Sequence, residues 1–67
     1  MRMPTGAERE RALAKQARQR AEQERRLAEA SDGDERARHE SAARRHDDTA
    51  FLYEQLADMY ERRGSAD

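Results

Sequence analysis

The stretch Ser31-Asp32-Gly33-Asp34 interrupts a chain of 67 residues that otherwise favours helix. Gly33 can adopt the positive φ that ends a helix, and Asp32 or Asp34 can cap the helix that follows. Alanine, the strongest helix former, is abundant on both sides, and the one proline of the chain is Pro4. Residues 31–34 are therefore predicted to form a turn between two helices.

The predicted helices cover residues 6–30 and 35–63, with residues 1–5 and 64–67 as flexible ends of a single domain. Thr5 followed three residues later by Glu8 is a capping box for the first helix. Arg62 and Arg63 complement the negative end of the second helix, and Gly64 is expected to end it. The fold class is thus all-α, and a turn this short favours an antiparallel two-helix hairpin.

Alanine recurs at a spacing of seven residues in both predicted helices. The first row is Ala7, Ala14, Ala21 and Ala28, and the second is Ala43, Ala50 and Ala57. Such periodicity is typical of coiled-coil packing. If the chain folds about Asp32, residues whose numbers add up to 64 meet, and the two alanine rows form one seam. One step off this register, we expect Glu10 beside Tyr53 and Glu24 beside His39.

The charges of the two halves favour the same pairing. Residues 1–30 carry eight basic and five acidic side chains, a net charge of +3, whereas residues 31–67 carry six basic and ten acidic side chains, a net charge of −4. The acidic side chains of the second half include a row at seven-residue spacing, namely Glu40, Asp47, Glu54 and Glu61. We interpret this row as a solvated flank that selects the pairing partner, and not as paired catalytic carboxylates.

The larger apolar side chains are concentrated in the last third of the chain. They are Phe51, Leu52, Tyr53, Leu56, Met59 and Tyr60. Most of them form a stripe that is wider than an alanine-lined helix can cover, while Phe51 projects on the opposite side. A chain this small also has a thin core. The sequence therefore predicts a partner interface at these six residues, used for self-association into a helical bundle or for binding another protein.

Several classes of function are not expected. The chain has no cysteine, and His39 and His46 would lie about 10.5 Å apart along a helix, too far to share a metal ion. The serines have no neighbouring base, and the three glycines are isolated and form no phosphate-binding loop. We expect no enzyme activity, metal, cofactor or small-molecule substrate. No segment has the composition of a membrane span, and a cytoplasmic location is the default expectation.

Nucleic-acid binding is the alternative function. The first helix carries the basic residues that could contact phosphates, which are Arg11, Lys15, Arg18, Arg20, Arg25 and Arg26. Glutamates interrupt this run, however, and the sequence pI is about 6.1, which is low for a nucleic-acid binder. The chain contains 13 arginines and one lysine, a bias that we attribute to codon usage in a GC-rich bacterial genome. The predicted hairpin resembles in outline the Rop-type helical hairpin, which dimerises into a four-helix bundle, and this likeness of shape keeps RNA binding as the alternative.

Overall fold

The chain folds as two helices that pack against each other along their length. A computed structural model describes residues 6–65. Helix α1 spans Gly6–Glu29 and helix α2 spans Gly33–Ser65. The described residues contain no strand, and the long dimension of the molecule is 53 Å against a shortest dimension of 10 Å. The fold is therefore an antiparallel helical hairpin that is one helix thick.

The connection between the helices consists of residues 30–32 and is one residue shorter than the predicted turn at residues 31–34. Gly33 has a φ of 58°, the left-handed conformation that glycine adopts without steric cost. Ser31 closes the end of α1, since its N–H donates to the carbonyl oxygen of Ala28 at 3.1 Å and its hydroxyl donates to that of Leu27 at 2.7 Å. A serine thus satisfies the carbonyl groups that a helix end leaves without a partner.

Both helix boundaries at the turn, and the far end of α2, differ by one or two residues from the predicted positions. Helix α1 ends at Glu29 instead of residue 30, and α2 starts at Gly33 instead of residue 35. Helix α2 also continues through Gly64 to Ser65, so Gly64 does not end it. A single glycine costs a helix only about 1 kcal/mol, and helix ends commonly shift by this much. Thr5, the predicted cap of α1, lies outside the described residues.

The core is a seam of alanines, as the seven-residue pattern predicts. Within residues 6–63 every buried residue is an alanine: Ala7, Ala14, Ala17, Ala21, Ala28, Ala43, Ala50 and Ala57. Ala14, Ala17 and Ala50 form one cluster across the two helices, so Ala14 and Ala50 lie in the same part of the core, as predicted. Because each alanine buries a single methyl group, worth about 0.8 kcal/mol, the seam is a weak hydrophobic core.

Candidate interaction surface

One face of the hairpin carries a ladder of ion pairs between the helices. Its rungs are Arg11–Glu61, Arg18–Glu54 and Arg25–Asp47. Each step moves seven residues back along one helix and seven residues forward along the other. Three members of the predicted acidic row therefore bind arginines of α1, as expected of a flank that selects its partner.

The ladder is exposed, and its pairs differ in geometry. Nε of Arg18 donates to Oε1 of Glu54 at 2.7 Å, and Nη2 of Arg18 forms an ion pair with the same oxygen at 2.6 Å. Arg11 bonds Glu61 and lies 3.8 Å from Asp58. The hydrogen bond from Arg11 holds the pKa of Glu61 below its ordinary value, and the same bond raises the pKa of Arg11. Each of these side chains is about half exposed, so its contribution to stability is reduced by solvent screening.

The opposite flank of the seam carries a hydrogen bond between a histidine and a glutamate. Nδ1 of His39 lies 2.6 Å from Oε2 of Glu24, and the two side chains are 31% and 25% exposed. This contact confirms the predicted neighbourhood of Glu24 and His39. The described residues contain no group of three histidine, cysteine, aspartate or glutamate side chains placed to hold a metal ion.

Two tyrosines of α2 pack back onto the hairpin on this same flank. Tyr53 is partly buried against the Ala14–Ala17–Ala50 cluster. The Tyr60 ring covers Gly6, where an added Cβ would lie 3.1 Å from ring carbons. Oε2 of Glu10 is buried without a hydrogen-bond partner, so Glu10 does not bond Tyr53 through that oxygen. Part of the predicted interface is thus occupied within a single chain.

The remaining apolar side chains of the predicted interface are exposed on α2. Leu56 is 40% exposed, Met59 51% and Leu52 59%. With about 100° between successive residues, these three side chains fall within about 60° of one another, and Phe51 lies on the side of the ion-pair ladder. We call Leu52, Leu56 and Met59 the apolar stripe. Phe51 is also exposed, but it does not join the stripe.

Leu27 is an exposed apolar residue that the predicted interface omits. It lies in the last turn of α1 and is 48% exposed. The sequence does contain a signal for it, because residues 7–13 recur as residues 21–27 with five of seven positions identical, and Leu13 and Leu27 are the last residues of these two repeats. Leu13 is only partly exposed, so equivalent positions of the two repeats differ in exposure.

Most of the basic residues that could contact nucleic acid are already bound to carboxylates. Arg11, Arg18 and Arg25 are the ladder arginines, and Arg26 bonds Glu22 at 2.8 Å within α1. A phosphate group would have to displace a carboxylate at each of these four positions. Lys15 and Arg20 are the other two residues of the predicted set, and both are exposed.

The fold and surface define a class of protein, an antiparallel helical hairpin with an alanine seam, one charged face and one apolar stripe. No protein-family model, curated protein or solved structure has significant similarity to the chain. Neither helix within residues 6–65 is long and apolar enough to cross a membrane.

Proposed function

We propose that this chain is a small interaction module that associates with another helical surface through the apolar stripe of α2. One observation carries the proposal: the buried core consists of alanines, whereas Leu52, Leu56 and Met59 remain 40–59% exposed. A helix with an apolar stripe is stable when that stripe is buried against a second layer. The hairpin supplies one layer only.

The ion-pair ladder supports this assignment because it occupies the other face. Arginines and carboxylates that are paired and hydrated form a surface that favours water over protein contact. A partner would therefore approach the stripe and leave the ladder in solvent. A cytoplasmic location is part of the proposal and is supported by the absence of cysteine from the sequence.

Sedimentation equilibrium of wild-type protein and two matched variants tests the assignment. Leu56→Asp places a carboxylate in the middle of the stripe, and Phe51→Asp makes a comparable change on the ladder side of the same helix. We expect the wild-type protein and Phe51→Asp to associate as concentration rises, and Leu56→Asp to remain monomeric. Circular dichroism at 222 nm would show whether each variant keeps its helices.

An unchanged mass distribution for Leu56→Asp, with unchanged helicity, would contradict the proposed surface. Equal loss of association in both variants would also contradict it, because a general effect of added negative charge would then explain the result.

A further inference from the structure

The apolar stripe has the spacing of a coiled-coil seam. Leu52, Leu56 and Met59 are separated by four and then three residues, which is the alternation that keeps side chains facing a partner helix. Arg45 and Arg63 continue the same line at its two ends, and Thr49 lies between Arg45 and Leu52. The apolar stripe is therefore short, with an arginine beyond each end.

A row of polar residues follows one flank of the stripe at seven-residue spacing. The row consists of Asp48, Gln55 and Arg62, all of them exposed. Its charge changes sign about Gln55, with a carboxylate seven residues before and a guanidinium seven residues after. Positions of this kind select partners and orientation in coiled coils.

We propose that the stripe binds a second copy of this chain, with the two α2 helices antiparallel and the twofold axis near Gln55 and Leu56. This inference rests on the proposed function and names its partner. When two helices pack antiparallel, side chains at the same position of the seven-residue repeat face each other across the interface. The ladder between α1 and α2 is an example, because Arg18 and Glu54 each lie four residues after a seam alanine. Asp48 of each copy then faces Arg62 of the other, and the two copies of Gln55 meet at the axis.

Charge favours this orientation over a parallel one. A parallel pair brings the two copies of Arg45 level with each other in the seam, and likewise the two copies of Arg63. It also leaves Asp48 and the second copy's Arg62 fourteen residues apart along the axis, about 21 Å. The antiparallel pair brings Asp48 beside the second copy's Arg62 and opposes the two ends of the helix dipoles. At the ends of the stripe it places Arg45 of one copy beside Arg63 of the other, so these arginines do not distinguish the two orientations.

The area of the surface indicates a weak complex. Leu52, Leu56, Met59 and Tyr60 each leave about half of their surface exposed, on the order of 100 Å² per side chain. Two copies together then bury roughly 800 Å² of apolar surface, at the low end for a specific interface. We therefore expect a dimer that dissociates in the micromolar range.

Charge exchange tests the orientation. We expect Asp48→Arg and Arg62→Asp each to raise the dimer dissociation constant roughly tenfold, since each change affects two symmetric ion pairs. The double variant Asp48→Arg/Arg62→Asp restores both pairs and should return within about twofold of wild type. Glu35→Arg, which makes the same change in net charge as Asp48→Arg but far from the axis, is the control for that variant and should change the dissociation constant little.

Disulfide trapping gives an independent measurement, because the chain contains no cysteine of its own. Under mild oxidation Leu56→Cys, near the axis, should form covalent dimers, whereas Phe51→Cys should not. A double charge variant that binds as weakly as its two single changes combined would overturn the antiparallel orientation while leaving self-association intact. A wild-type chain that stays monomeric at every concentration would instead overturn this inference and leave a different helical protein as the partner in the proposed function.

Discussion

Arg18 and Glu54 join the two helices through a single carboxylate oxygen, which accepts a hydrogen bond from Nε at 2.7 Å and forms an ion pair with Nη2 at 2.6 Å. Arg18 has another carboxylate at hand, since Glu22 lies four residues further along the same helix. The structure pairs Arg18 across the hairpin and pairs Glu22 with Arg26. The ladder thus links the helices to each other instead of stabilising each helix separately.

Reversing charges at this rung should destabilise the hairpin and then rescue it. We expect Glu54→Arg to lower the free energy of unfolding by up to about 1 kcal/mol, the range measured for exposed ion pairs. Adding Arg18→Glu should recover most of that loss. Urea unfolding followed by circular dichroism measures the effect, and the difference should shrink at high salt because ions screen exposed charges. A double variant whose loss of stability equals the sum of the losses in Glu54→Arg and Arg18→Glu would show that the two side chains are not energetically coupled.

Acid should weaken the end of the ladder that holds Glu61. The hydrogen bond from Arg11 lowers the pKa of Glu61 from its ordinary value of 4.5. A carboxyl whose pKa is lower in the folded state stabilises the fold at pH above the ordinary value, and this stabilisation is lost as the pH falls through the lowered value. We therefore expect the melting temperature to fall below pH 4.5, and to fall less in Arg11→Gln. If the melting temperature of Arg11→Gln depends on pH as it does in the wild-type protein, the Arg11–Glu61 pair does not cause the loss of stability in acid.

The hydrogen bond between Glu24 and His39 should contribute to stability on the opposite flank. Both side chains are less than one third exposed, so removing one partner leaves the other partly desolvated. We expect Glu24→Ala and His39→Ala each to cost about 1 kcal/mol, and the double variant to cost clearly less than the sum. Ser41→Ala, at an exposed position of α2, is the control. Full additivity at Glu24 and His39 would argue against a direct contact in solution.

The seam, the turn and the Glu24–His39 contact could all be predicted from the sequence. Identical seven-residue spacing in both helices aligns alanine with alanine, and the short turn about Asp32 selects one register among those that differ by seven residues. Gly33 is the one internal residue suited to a positive φ. The sequence could not show whether Arg18 pairs with Glu22 or with Glu54. Glu22 lies four residues along the same helix, and the register of the hairpin places Glu54 across from Arg18, so both carboxylates are within reach. Tyr53 was equally ambiguous, since a tyrosine beside the seam can cover its own alanines or face a partner.

Ala50 is the position at which the alanine seam can be tested most directly. Its exposure is 0% and it packs with Ala14 and Ala17 across the helices. Ala50→Leu adds three carbon atoms where the helices approach closely, and overpacking of this kind costs about 1–3 kcal/mol. We expect a clear drop in melting temperature. Ala37→Leu is the matched control, because Ala37 is exposed on the same helix and leucine is nearly as good a helix former as alanine. Equal melting temperatures for the two variants would mean that close approach of the helices at Ala50 does not determine the stability of the hairpin.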